Sequence, residues 1–147
     1  MKLTIAWIGK TKSHAIQSLT DEYLKRLRQY AEADGVSLKD EAALLKLFGR
    51  DGRGARRRLV LLDSRGKQLS SEELAKFLGD HQDKNPLPLV FAIGAADGFS
   101  EPARQQADSI LSLGKMTLAH ELARAVLLEQ LYRGFTILKG HPYHLGH

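Results

Sequence analysis

The residues best suited to proton chemistry lie together at the end of the chain, where His141, Tyr143, His144 and His147 occur. Imidazole and phenol groups can accept or donate a proton, and both can stack on nucleobases. The chain has no cysteine, and no paired carboxylates stand near this cluster at metal-ligand spacing. Zinc binding is therefore weakly supported, and we predict no metal site. The terminal His147 is expected to be disordered.

A glycine-containing loop, Gly94-Ala95-Ala96-Asp97-Gly98, follows an apolar run and precedes a predicted helix. Glycine lets the backbone approach a ligand closely because no side chain stands in the way. The spacing is not that of a dinucleotide-binding G-x-G-x-x-G or of a P-loop. An ordinary strand-to-helix turn explains the same residues, so both interpretations stay open.

A basic stretch occupies the middle of the chain and could neutralise RNA phosphates. Its members are Arg50, Arg53, Arg56, Arg57 and Arg58. The chain as a whole has 22 Lys and Arg against 17 Asp and Glu, giving a net charge of +5. A basic surface favours polyanionic partners, but a solvated loop would have the same composition, so charge alone does not decide.

Hydrophobic spacing predicts the elements that position these residues. A β-prone run over Lys2–Gly9 predicts a buried strand, and apolar residues from Ile16 to Tyr30 recur at helical spacing. Asp34-Gly35 is expected to stop that helix. The remaining predictions, in chain order, are a short strand Val36–Leu38, helical turns over Ala42–Phe48, a flexible basic loop over residues 49–54, a strand Arg58–Asp63, a turn Ser64-Arg65-Gly66, a helix from the capping box of Ser70 and Glu73 to His81, a strand Leu89–Gly94, a helix from the N-cap Ser100 to Ala107, a strand Ile110–Leu113 and a long helix His120–Leu138.

Alternating strands and helices predict an α/β fold, a mostly parallel sheet flanked by helices, in one domain of 147 residues. Ligands of such sheets bind beyond the carboxyl ends of the strands. This rule directs attention to three loops, which follow Asp63, Gly94 and Leu113.

Composition narrows the classes of protein further. Without cysteine, structural disulfides, thiolate metal sites and a cysteine nucleophile are excluded. No apolar segment is long enough to span a bilayer, and the N-terminal apolar run is too short for a secretion signal. We therefore expect a cytoplasmic protein without a membrane partner.

The C-terminal third resembles a known family. The segments that carry the resemblance are residues 112–124 (SLGKMTLAHELAR), 129–133 (EQLYR) and 141–144 (HPYH), supported by Tyr23, Leu24 and Arg26 in the first helix and by the stretch from Leu62-Asp63 to Glu72. Together they are similar to the RlmH family, the large-subunit ribosomal RNA pseudouridine N3-methyltransferases of the SPOUT superfamily. The resemblance covers nearly the whole chain.

The resemblance implies a C-terminal trefoil knot, a homodimer, ribosomal RNA as partner and S-adenosyl-L-methionine as cofactor. The cofactor contacts carried over are Leu62, Gly94, Leu113, Gly114, Lys115, Met116, Thr117 and Leu118. They fall in the same three loops that the sheet rule selected. Two features depart from the family pattern: residues 94–98 replace Gly-Gly-Pro-Glu-Gly, and the region of residues 40–57 is shorter.

The implied reaction moves a methyl group from a sulfonium to the ring nitrogen N3 of pseudouridine. Alignment of donor and acceptor supplies much of such catalysis, and the N3–H proton requires a general base. His141, Tyr143 and His144 are the catalytic candidates by their place in the family, with no choice among them. Arg124, Arg133, Arg56 and Arg57 are the candidate RNA contacts.

Three other functions remain open at this stage. The chain could methylate another RNA, such as a transfer RNA, on the same fold. It could bind ribosomes or RNA without catalysis. A third alternative is general nucleic-acid binding through the arginine stretch, which would weaken steeply with salt.

Overall fold

The computed structural model describes residues 1–50, 56–84 and 87–145. Within these ranges strands and helices alternate from end to end. In chain order they are β1 (Lys2–Ile8), α1 (His14–Leu27), β2 (Glu32–Leu38), α2 (Glu41–Phe48), β3 (Arg58–Gln68), α3 (Ser71–Lys84), β4 (Leu89–Ile93), α4 (Glu101–Gln105), β5 (Ser109–Ser112) and α5 (His120–Leu138). Most of the predicted basic loop, with Arg53, and the terminal His147 lie outside the described residues.

The strands form one sheet in the order β2-β1-β4-β3-β5, and every neighbouring pair is parallel. The predicted parallel α/β sheet is therefore confirmed. Because β4, β3 and β5 are adjacent, their carboxyl ends and the loops that follow them meet at one edge. The trefoil knot stays a prediction.

Helices cover both faces of the sheet, so its central strands are apolar on both sides. In β4, Phe91 packs with α1, α3 and α5 in the larger core, whereas Val90 packs with α2 and α4 in the smaller one. All five residues of β4 are buried. Burial on both faces holds β4 in place, and a cleft described below lies at its carboxyl end.

Serine side chains cap the start of three helices. The capping box is present: the Glu73 amide donates to Ser70 Oγ at 3.0 Å, and the Ser70 amide donates to Glu73 Oε1 at 2.9 Å. Ser100 Oγ accepts from the Ala103 amide at 3.3 Å, and Ser13 Oγ accepts from the Ile16 amide at 3.2 Å. The predicted N-termini of α3 and α4 are thereby confirmed.

Two predicted boundaries are wrong. Asp34-Gly35 does not stop a helix: α1 ends at Leu27, and Gly35 lies inside β2 opposite Ile5. A Cβ at Gly35 would stand 2.8 Å from the Trp7 ring, so this glycine makes room for the indole. The segment Ser64-Arg65-Gly66 lies within β3, where pairing with β5 shifts register between Leu62 and Lys67.

Candidate functional site

A cleft of about 320 Å³ lies beyond the carboxyl ends of β4 and β5, beside the segment of β3 from Leu62 to Arg65. It is bounded by the loop after β4, by the segment that joins β5 to α5, and by the first turn of α5. Its lining residues are Leu62, Asp63, Ser64, Arg65, Ile93, Gly94, Ala95, Ala96, Asp97, Gly98, Ser112, Leu113, Gly114, Met116, Thr117, Leu118, His120 and Ala123. Its size and mixed lining suit one small organic ligand.

Of the residues predicted to contact the cofactor, all but Lys115 line this cleft. They come from β3, from the loop after β4 and from the segment after β5, which the order of the sheet brings to one place. Leu62, Ile93 and Leu113 supply apolar wall, and the glycines expose main chain. The assignment of these residues to a cofactor stays a prediction, and the cleft is the cavity that such a group would fit.

The segment after β5 is held by one hydroxyl. Ser112 Oγ donates to the Gly114 carbonyl at 2.9 Å and accepts from the Gly114 amide at 3.2 Å. Gly114 has a φ of 140°, a backbone conformation that side-chain-bearing residues rarely adopt. Serine and glycine together therefore turn the chain back over the cleft.

Asp63 and Arg65 join the end of β3 to the loop after β4. Arg65 Nε and Nη2 donate to Asp63 Oδ1 and Oδ2 at 2.9 and 2.8 Å, and Nη2 also donates to the Phe99 carbonyl at 3.1 Å. The Arg65 hydrogen bonds lower the pKa of Asp63 to about 2, so its carboxylate is ionised near neutral pH. This pair fixes the relative position of two sides of the cleft.

The first turn of α5 adds residues that the sequence analysis did not select. His120 lines the cleft. Beside it, the Glu121 carboxylate accepts from the amides of Lys12 and Ser13, each at 3.0 Å, and these bonds lower the pKa of Glu121. In the sequence, only the position of His120 and Glu121 indicated a role, because both lie at the start of the helix that follows the predicted loop.

The C-terminal tail packs against the other end of α5 and forms a network that we call the tail cluster: Tyr23, Glu72, Glu129, Tyr132, Arg133, Tyr143 and His144. Within it, Tyr143 Oη donates to Glu129 Oε2 at 2.7 Å, and the Tyr132 and Tyr143 rings meet edge to face at 4.9 Å. Arg133 Nη2 donates to Glu129 Oε2 at 2.9 Å. The two side chains of this pair are largely buried.

The network determines the hydrogen-bonding state of His144. Arginine only donates, so His144 Nδ1 accepts from Arg133 Nη1 at 3.0 Å, and Nε2–H donates to Glu72 Oε1 at 2.9 Å. Burial, followed by the contacts with Tyr23 and Glu129, raises the pKa of Tyr143. His141 is exposed, and its Nδ1 accepts from the Tyr143 amide at 3.2 Å. None of these catalytic candidates lines the cleft of its own chain.

Arg124, which the sequence analysis predicted to contact RNA, is enclosed in this structure. Its side chain is 1% exposed, its guanidinium carbon lies 4.0 Å from the centre of the Trp7 ring, and Nη1 donates to Thr20 Oγ1 at 3.3 Å. Burial lowers the pKa of Arg124. A phosphate that approaches the surface does not reach it.

The other predicted RNA contacts also lie away from the cleft. Arg133 is held between Glu129 and His144 in the tail cluster. Arg56 and Arg57 precede β3, at the edge of the sheet opposite the cleft. Arg56 is exposed, and the Arg57 guanidinium lies 5.2 Å from the centre of the Phe48 ring. The structure therefore does not bring the predicted arginines together with the predicted cofactor residues.

The structure also bears on metal binding and on membrane insertion. Across residues 1–50, 56–84 and 87–145, no three His, Asp or Glu side chains are grouped so as to hold a metal ion. No helix in the described part of the chain is both long and apolar enough to cross a membrane.

A parallel α/β sheet with a small-molecule cleft at the carboxyl ends of its strands defines a class of proteins that hold an organic ligand there. A family model described as predicted SPOUT methyltransferase matches residues 1–144. The chain is also 60% identical over 147 residues to the ribosomal RNA large subunit methyltransferase H of Koribacter versatilis (strain Ellin345), with all of both chains covered. The chain belongs to the SPOUT methyltransferase family.

Solved structures agree with this fold. A probable methylase family protein from Haemophilus influenzae Rd KW20 matches with a TM-score of 0.58 and 11% identity over 96% of this chain and 69% of that one. The SpoU methyltransferase AviRb from Streptomyces viridochromogenes, in complex with AdoMet, matches with a TM-score of 0.51 and 14% identity over 90% of this chain and 57% of that one. At these identities the likeness concerns the fold alone.

Proposed function

We propose that this chain transfers a methyl group from S-adenosylmethionine to large-subunit ribosomal RNA, at N3 of a pseudouridine. The observation that carries the proposal is the cleft beside β3 and beyond the ends of β4 and β5, whose lining contains nearly all the predicted cofactor residues. The 60% identity to a ribosomal RNA large subunit methyltransferase H supports the choice of substrate.

The cleft has the properties that S-adenosylmethionine requires. Leu62, Ile93 and Leu113 offer apolar surface for an adenine ring, and the main chain around Gly114 offers polar groups for its edges. Gly94 leaves the floor open, because a Cβ there would stand 3.2 Å from the Gly98 carbonyl oxygen. When bound, this cofactor supplies an activated methyl group on its sulfonium.

The chain itself must align the acceptor base and remove its proton. A base stacked at the mouth of the cleft loses access to water, and the N3–H proton passes to a protein group within hydrogen-bond reach. Tyr143 is poorly suited to accept it, since its raised pKa keeps the phenol protonated. This leaves His141 and His144 from the predicted set, and it adds His120, which lines the cleft.

His141 and His144 reach a cleft only if they leave their present contacts or if they act in the cleft of a second protomer. We propose that the chain works as a homodimer, supported by exposed apolar side chains on α1, on α5 and on the segment before α5: Leu19, Leu122 and Met116. Removing such side chains from water favours association. Light scattering of the wild type and of a Leu19→Glu, Leu122→Glu variant measures the mass, and a monomeric wild type would refute the dimer.

The decisive experiment is transfer of labelled methyl from S-adenosylmethionine to ribosomes that lack the modification, with the product nucleoside mapped. A single methylated pseudouridine in large-subunit RNA is the expected product. Labelling of transfer RNA instead would assign another RNA to the same chemistry. Cofactor binding with no transfer to any RNA would assign a non-catalytic binding role. Since ribosomes are the proposed substrate, we place the protein in the cytoplasm.

Single-turnover rates then separate the proton acceptors. His120→Ala, His141→Ala and His144→Ala, alone and combined, are compared with wild type at saturating cofactor and RNA. Loss of the acceptor is expected to slow transfer by about a hundredfold or more. An unchanged rate in any single variant removes that histidine from the role.

A further inference from the structure

Arg65 is the one arginine or lysine in the cleft lining, among the residues that the structure describes. Two of its nitrogens, Nε and Nη2, donate to Asp63, and Nη2 also donates to the Phe99 carbonyl. Within residues 1–50, 56–84 and 87–145, the third nitrogen, Nη1, has no hydrogen-bond partner. The side chain is 56% exposed. A charged donor group therefore stands at the rim of the cleft with bonds still to make.

The guanidinium is fixed in place before any ligand arrives. Asp63, which holds it, is 2% exposed and also accepts from the Arg65 amide at 3.0 Å. Two parallel hydrogen bonds orient the planar fork, so little conformational freedom remains to be lost on binding. Such a prearranged arginine is suited to an oxyanion, either a phosphate or a carboxylate.

We propose that Arg65 binds a backbone phosphate of the RNA strand next to the nucleotide that is methylated. The inference rests on the proposed function and names the residue that positions its substrate. A nucleotide whose base enters the cleft has a phosphate on either side, at the rim where Arg65 lies. Arg124 is buried, Arg133 is held in the tail cluster, and Arg56 lies at the opposite edge of the sheet.

The carboxylate of S-adenosylmethionine is the other possible source of an oxyanion. The phosphate is favoured because the Arg65 guanidinium is more exposed than buried, whereas the predicted cofactor walls, Leu62 and Ile93, are buried. Affinity for the cofactor and affinity for RNA can be measured separately, so the two sources are distinguishable.

The test compares Arg65→Ala with a matched control, Arg28→Ala. Arg28 is 52% exposed, pairs with Asp34 and donates to the Ala33 carbonyl, so its contacts parallel those of Arg65. It lies near the amino end of β2, at the edge of the sheet away from the cleft. Both variants lose one positive charge and one ion pair. Arg65→Lys restores the charge without the fork.

Two affinities are measured: large-subunit ribosomal RNA by filter binding over a series of salt concentrations, and S-adenosylmethionine by calorimetry. Arg65→Ala is expected to weaken RNA binding about tenfold, as the loss of a charged hydrogen bond does. It should also reduce the slope of log affinity against log salt by about 0.7 to 0.9, the equivalent of one phosphate contact. Arg65→Lys should recover the slope but only part of the affinity. In Arg65→Lys, whose ammonium can still pair with Asp63, cofactor affinity should stay within about twofold of wild type.

The possible results distinguish failure of the role inferred for Arg65 from failure of the proposed function. If wild type does not bind the RNA, the proposed function fails. If wild type binds and Arg65→Ala has the same affinity and salt slope as Arg28→Ala, the inference is overturned while the function stands. Cofactor affinity that falls about tenfold with RNA binding unchanged would also overturn it, and would assign Arg65 to the cofactor carboxylate.

Discussion

The first turn of α5 and its second half have different surroundings. At its first turn, His120 and Ala123 line the cleft, and the loop beside them exposes main chain to a ligand. From the midpoint of α5 onward, Glu129 and Arg133 are bonded to each other and to Tyr143 and His144 in the tail cluster. The first turn is open to a ligand, whereas the hydrogen-bonding groups of the second half are paired with other side chains of the protein.

This difference shows where binding and stability reside. Groups with unused hydrogen-bonding capacity gain most from a ligand, whereas groups that are already paired lose bonds when they rearrange. Arg124 lies between the two ends and belongs to neither, since it is enclosed against Trp7. We expect the first turn of α5 to control ligand affinity, and Arg124 and the tail cluster to control folding stability.

The largest effect is expected from Arg124, which lies one turn into α5. Arg124→Ala should lower the free energy of unfolding by about 3 kcal/mol, because it empties a large buried volume beside Trp7. Arg124→Met fills similar space without a charge and should stay within about 1 kcal/mol of wild type. Urea denaturation measures both. An Arg124→Met variant as unstable as Arg124→Ala would mean that the charge, not the packing, is required.

The satisfied end is expected to affect stability without affecting the cleft. Glu129→Ala removes the acceptor of Arg133 and Tyr143 and should lower the free energy of unfolding by about 2 kcal/mol. Glu72→Ala, which removes the exposed contact to His144, is the control and should have little effect. Cofactor affinity measured by calorimetry should not change in either variant. A tenfold loss in Glu129→Ala would show that the two ends are coupled.

The open end is expected to affect affinity with little loss of stability. Gly94→Ala places a Cβ 3.2 Å from the main-chain oxygen of Gly98 and should weaken S-adenosylmethionine binding about tenfold by shifting the loop. Gly79→Ala is the matched control, because its Cβ would meet only the Leu138 side chain, at 3.0 Å and away from the cleft. Equal cofactor affinity in the two variants would refute the role given to the loop after β4.

The smallest effect is a pH dependence at the cleft rim. The pKa of Asp63 is about 2, below its usual value of 3.8, so its stabilising effect is complete above pH 4 and disappears as the pH falls through 2. Because Arg65 is more than half exposed, solvent screening limits this effect to about 1 kcal/mol. The difference in unfolding free energy between wild type and Asp63→Asn should therefore vanish between pH 4 and pH 2. A difference that persists at pH 2 would contradict the assignment.

Local sequence determined the elements with strong patterns. The run around Phe91 is apolar in every position, and only a strand covered on both faces satisfies it. The capping box of Ser70 and Glu73 fixed the start of α3. The prediction failed at Gly35, where a local rule assigned a helix stop, but the glycine accommodates Trp7 from the neighbouring strand.

Sequence patterns also located most of the cleft but not the contacts that cross it. The loops after β4 and β5 could be chosen because carboxyl ends of parallel strands share one edge. The loop predicted after Asp63 was wrong, because β3 continues to Gln68. The bonds of Arg65 to Asp63 and Phe99 join segments far apart in sequence, and no local pattern predicts them.

By itself, the sequence determined the alternation of strands and helices, the parallel sheet, the family and the loops that form the cleft. Those features depend on hydrophobic period and on neighbours along the chain. Only the tertiary structure decided the fate of the charged residues: Arg124 is enclosed, Arg133 is paired in the tail cluster, and Arg65 stands at the rim. An arginine looks the same in sequence whether it faces solvent or an indole, because its environment is supplied by residues from other strands and helices.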